Sequence, residues 1–104
     1  MLIIQTTSNS KNNLKSIAKE LLKQKLTACT HINKIYSSYT WEGKIVNEKE
    51  YRLEIKTIKK HEKTIFSIIK ELHNYNIFEL LSYDASNLNI DYKKWFKNQV
   101  KSIK

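Results

Sequence analysis

At 104 residues the chain has room for one domain with one modest core and no linker. Its net charge of +9 comes from 18 lysines and one arginine, with 14 isoleucines and 10 asparagines beside them; this is a compositional bias rather than a base-reading surface, which favours arginine, so nucleic acid is not expected as a partner. A single glycine excludes a phosphate loop or dinucleotide fingerprint, nothing resembles a nucleophile elbow, and no enzymatic activity is expected.

Met1-Leu2-Ile3-Ile4 turns polar at Gln5, too short for a signal peptide or a membrane span. The expectation is a cytoplasmic protein without a membrane partner, and one cysteine, Cys29, agrees with a reducing compartment. Leu2-Ile3-Ile4 reads as a buried strand. Leu14, Ile17, Ala18, Leu21 and Leu22 then recur at helical spacing, with Ser8 or Ser10 as N-cap and Lys11, Lys15, Lys19 and Lys23 along the wet face.

From Thr27 to Ile58 the pattern is a long hairpin turning at Trp41-Glu42-Gly43-Lys44. Its first arm would span roughly 45 to 50 Å if straight, whereas a compact domain of this length is roughly 33 Å across. Either the hairpin bends, or its tip projects and is covered, most simply by another copy of the chain. Ala28, Thr30 and Ile32 share one face while Ile35, Ser37, Tyr39 and Trp41 take the other parity, which predicts a β-bulge near Asn33-Lys34. In the second arm Tyr51, Leu53, Ile55 and Thr57 form the buried face, and Glu50, Arg52, Glu54 and Lys56 the wet or subunit-pairing face.

A second helix is predicted from about His61 to His73, with His61 at its exposed start. A fourth strand follows from Phe78 to Ala85. A last helix opens at Ser86-Asn87 and Asn89, with Tyr92, Trp95, Phe96, Gln99, Val100 and Ile103 inward. The order strand, helix, strand, strand, helix, strand, helix gives an α+β split βαβ sandwich: an antiparallel four-stranded sheet, two helices on one face and an added terminal helix at the sheet edge or on a neighbour.

Candidate chemistry is sparse. Cys29 and His31 fall on one face of a strand, as metal ligands or as a buried thiol with a bystander. His73 falls at a helix C-terminus, where the macrodipole and a nearby Glu79 would favour its protonated form, as a cap or as a ligand. Tyr36, Tyr39 and Trp41 near the tip are explained by burial in an oligomer. An RNA-binding module would need exposed aromatics on the sheet face, and that pattern is missing.

Lys25-Leu26-Thr27-Ala28-Cys29, Ser38-Tyr39-Thr40-Trp41-Glu42-Gly43-Lys44, Glu50, Lys56-Thr57, His73-x-Tyr75 with Glu79, and Asp91-Tyr92-x-x-Trp95 closely resemble the CutA divalent-ion tolerance family. The resemblance implies a ferredoxin-like subunit in a PII-like homotrimer, cytoplasmic, responding to copper and other divalent ions. It implies a trimer-forming hairpin containing Tyr36 and Gly43, an interface pocket lined by Tyr39, Trp41, Lys56 and Tyr75, and metal contact at His73 and Glu79 with Cu(II) or another divalent cation. The family's first-strand cysteine position carries Gln5, and the first of its adjacent histidines carries Leu72. Asn74 and Phe78 stand where the family has proline, which removes its pre-set backbone from the turn. The alternative is a trimeric sensing or scaffold module for a small anion or a partner protein.

Overall fold

A computed structural model describes residues 1–100. Ser10 settles the start of the first helix: its Oγ accepts the Asn13 N–H at 3.1 Å and caps α1 (Lys11–Lys23), after β1 (Leu2–Ser8). Leu14, Ile17, Ala18 and Leu21 form the buried stripe of α1. The helix stops when Lys25 turns left-handed (φ 58°), with Leu26 N–H bonded to Leu21 O and Lys25 N–H to Leu22 O. This closure drops Leu26 into the core and aims the chain into β2 (Cys29–Trp41).

β3 (Lys44–Thr57) returns along β2, followed by a 3-10 turn at Lys59–His61, α2 (Glu62–Leu72), β4 (Leu80–Asp84) and α3 (Ile90–Gln99). The strands are ordered β2-β3-β1-β4, and every neighbouring pair is antiparallel. This is the ferredoxin-like fold. Ile4 pairs with Ile55 and Thr6 with Leu53, so period-2 alternation gathers Leu2, Ile4, Leu53 and Ile55 on the face that packs with Leu14, Ile17, Leu21, Ile65 and Ile69 of the two helices. Each such buried side chain contributes about 1.5–3 kcal/mol of transfer free energy. The other sheet face carries Gln5 of β1, Cys29 and His31 of β2, Glu54 and Lys56 of β3, and Leu81 and Tyr83 of β4.

The expected bulge is absent. One register runs unbroken from Cys29 opposite Lys56 to Trp41 opposite Lys44, and the long axis of the molecule reaches 46 Å against 27 and 20 Å for the others. The ribbon projects instead of bending. The phase change near Asn33 has a different cause: as far as Ile32 the even residues face the helices, and beyond it the strand leaves the globule, so Ile35, Tyr39 and Trp41 place their apolar surface on the opposite side.

At the tip Glu42 and Gly43 have φ of 50° and 76°, the two positive values that a type I′ hairpin turn requires. A Cβ on Gly43 would meet nothing within 4 Å, so Gly43→Ala is expected to cost only the left-handed backbone term, about 1–2 kcal/mol in a thermal or urea melt.

Three further expectations are corrected. His61 is fully buried, because the 3-10 turn before α2 carries it inward instead of leaving it at an exposed helix start. β4 begins at Leu80 rather than Phe78, since the Phe78 ring stacks on His73 and the Glu79 carbonyl is taken by Thr6 Oγ1 at 2.6 Å. On α3 only Phe96 and Val100 of the predicted stripe are buried. Trp95, one residue from Phe96 and so turned about 100° around the helix, is 45% exposed, while Gln99 is exposed and Ile103 lies outside the described residues.

Candidate functional site

The turn from α2 to β4 is locked to the end of β1 around His73. The imidazole Nδ1 accepts the backbone N–H of Tyr75 at 2.9 Å, which leaves the proton on Nε2, where it meets the Thr7 carbonyl at 2.8 Å. That pattern defines a neutral tautomer with both nitrogens engaged. Phe78 stacks on the ring (centroids 4.1 Å, planes 6° apart), and Tyr75 tilts against it. Burial pushes the His73 pKa below its ordinary value, against smaller upward pulls from the Thr7 hydrogen bond and the Glu50 charge. The expectation of a protonated imidazole at the helix end is therefore reversed: desolvation outweighs the Thr7 hydrogen bond and the Glu50 charge.

Tyr75 carries the lock to the sheet. Its hydroxyl donates to Glu50 Oε2 at 2.8 Å and accepts the Asn9 N–H at 2.8 Å. Burial and the Glu50 carboxylate raise its pKa. Glu50, expected on the wet or subunit-pairing face, is instead buried at 6% exposure. Asn74 stiffens the turn, because its side chain accepts from Ser8 Oγ at 2.6 Å and donates to Asn9 Oδ1 at 3.0 Å, while its N–H reaches Asn13 Oδ1 at 3.3 Å. Amide hydrogen bonds here do the restraining that a proline ring would do through its fixed φ.

The other predicted residues make contacts of their own. The Glu79 carboxylate accepts from Gln5 Nε2 at 3.1 Å, so these two positions of the resemblance meet, while His73 is tied to Thr7. Lys56 sits six residues along β3 from Glu50, ~20 Å away at strand rise, with its Nζ 5.4 Å from the Tyr92 ring centroid. Tyr39 is out on the ribbon, its hydroxyl donating to Glu48 Oε1 at 2.5 Å, a bond that pushes its pKa up to about 12. Trp41 is at the tip, and Tyr36 and Ile45 are 78% and 79% exposed on the ribbon's other face. Within one chain Tyr39, Trp41, Lys56 and Tyr75 do not share a pocket.

Cys29 is a free thiol, half-buried, with His31 beside it and Glu54 opposite His31 across the ladder. Among the described residues no group of three or more His, Cys, Asp or Glu side chains is arranged to hold a metal ion. Sequence reasoning did not single out Glu54 or Glu50 as site residues. The signal for Glu54 was present: a two-residue turn at Glu42-Gly43 fixes the register and so pairs His31 with Glu54.

Residues 2–99 match the family model described as CutA1 divalent ion tolerance protein. The chain belongs to the CutA1 family. The CutA divalent-cation tolerance protein of Pyrococcus horikoshii is 34% identical over 101 residues, 97% of this chain and 99% of that one. The crystal structure of CutA1 from P. horikoshii superposes with a TM-score of 0.91 at 32% identity, covering 98% of this chain and all of the other. A structure of the CutA protein of Archaeoglobus fulgidus, described as periplasmic, superposes at 0.90 with 28% identity, covering 97% of this chain and all of that one. Among the described residues no helix is long and apolar enough to cross a membrane.

Proposed function

We propose that this CutA1 protein serves the tolerance of divalent metal ions as a cytoplasmic homotrimer, with the β2–β3 ribbon as the assembly device and Cu(II) or another divalent cation as ligand. The observation that carries the metal reading is the family match over residues 2–99. The trimer is supported by the ribbon itself, which projects from the globule with Tyr36 and Ile45 on one face and Tyr39 and Trp41 on the other. Grouping Tyr39, Trp41, Lys56 and Tyr75 into one pocket with His73 and Glu79 takes residues from more than one subunit. A cation would reach His73 Nδ1 only by displacing the Tyr75 N–H. The free thiol of Cys29 supports the cytoplasm.

A strain lacking this protein is expected to stop growing at a lower Cu(II) concentration than its parent, and the intact gene is expected to restore growth. Equal growth of both strains across Cu(II), Zn(II) and Co(II) would overturn the reading. A second reading, an anion-sensing or scaffold trimer, is favoured by the net charge of +9. Calorimetry separates the two: heat with inorganic phosphate and none with Cu(II) selects the second.

A further inference from the structure

We propose that Cys29 and His31 form a two-donor site for a divalent cation of the zinc and cobalt class, with Glu54 as the carboxylate that orients the imidazole. The proposal deepens the metal-response reading and rests on it for its biological meaning. Two residues apart on β2, Cys29 and His31 stand on the same sheet face, the one opposite the helices. Cys29 Sγ lies 3.7 Å from His31 Nε2. A tetrahedral ion bonded at about 2.3 Å to sulfur and about 2.0 Å to nitrogen holds those donors about 3.5 Å apart. The pair therefore already has the spacing of two adjacent ligands.

The second ring nitrogen supplies the other part of the argument. His31 Nδ1 faces Glu54 Oε1 at 3.7 Å, just beyond hydrogen-bond distance, and the register sets Glu54 directly opposite His31. Metal-bound imidazoles generally turn their remaining N–H toward such a carboxylate, which fixes the tautomer and strengthens the donor. The order thiol, imidazole, carboxylate lets sulfur and Nε2 converge on one point while Glu54 backs the ring. A thiolate with an imidazole selects zinc-class ions over magnesium and calcium, which take oxygen ligands. β2 is an edge strand and the His31 side chain is 58% exposed in the single chain, so within one chain the remaining coordination positions are open to water. The cations diagonal to His31 on β3 are Arg52 and Lys56, and the Lys56 charge is held over the Tyr92 ring. Binding releases the Cys29 thiol proton to solvent as the sulfur–metal bond forms.

Titration of the purified full chain with Co(II) alone, read by thiolate-to-cobalt charge-transfer absorption, tests the site. The band is expected to saturate at one ion per chain, to vanish in Cys29→Ser and to need at least tenfold more Co(II) in His31→Ala. Glu54→Gln is expected to weaken binding by about 10- to 100-fold, as loss of an orienting carboxylate does elsewhere. All three site residues are at least partly exposed, so the variants are expected to keep the wild-type circular dichroism. A wild-type protein with no band, a band that survives Cys29→Ser, or one unchanged in His31→Ala would overturn the proposal. A missing band in a protein that still confers Cu(II) tolerance removes this site and leaves the metal-response reading standing; a Cys29-dependent band without a tolerance phenotype does the reverse.

Discussion

Replacing His73 with alanine is expected to destabilise the fold by roughly 2–4 kcal/mol in urea denaturation, since it strands the buried Thr7 carbonyl and Tyr75 N–H and removes a stacked ring. The size follows from the position of the side chain, which joins the end of α2 to the end of β1 through Nε2 and sets the Tyr75 backbone through Nδ1. Because burial lowers its pKa below the ordinary 6.5, the unfolded chain takes up a proton at His73 before the folded chain does. The stabilisation is then complete above pH of about 6.5 and is lost as pH falls through that value toward the lower folded pKa, with no further change beneath it. Stability measured from pH 7 to pH 5 is expected to fall more steeply in the wild type than in His73→Gln, which keeps an amide donor and does not titrate. Parallel curves for the two proteins would show that His73 is not held neutral.

The ribbon carries the second large effect. Tyr36→Lys with Ile45→Lys is expected to convert the proposed trimer to monomers, with the light-scattering mass dropping to one third. Both side chains are more than three-quarters exposed in the single chain, so the monomer itself has little reason to unfold. In an assembled ribbon the same positions would place two ammonium groups in an apolar contact, a cost of several kcal/mol per buried ion. A double variant that remains trimeric would remove the ribbon from its role as assembly device.

What the sequence disclosed follows from the range of the forces involved. Helical and alternating periodicity marks the burial of each element, so the order of elements, the two-residue turn and the core residues of α1 and β3 were all readable. The bulge was a misreading with a physical origin: a change of apolar parity in β2 signals either an extra residue or a change of what covers the strand, and one chain's pattern does not separate these. His61 was misplaced because a single 3-10 turn rotates it inward. The state of His73 was illegible because burial decides it, and that burial comes from docking the end of α2 against the end of β1, where the contact is the Thr7 backbone carbonyl, a group that leaves no trace in residue identity. Cys29 and His31 were visible as a pair from their spacing, whereas Glu54 joins them through the register set at Gly43.

The central claim is that a ribbon too long for its own globule exists to assemble three chains. Sedimentation equilibrium of the wild-type protein at micromolar concentration tests it most directly. The account predicts a single species of three times the 12.4 kDa chain mass, and a stable species at the chain mass itself would contradict it.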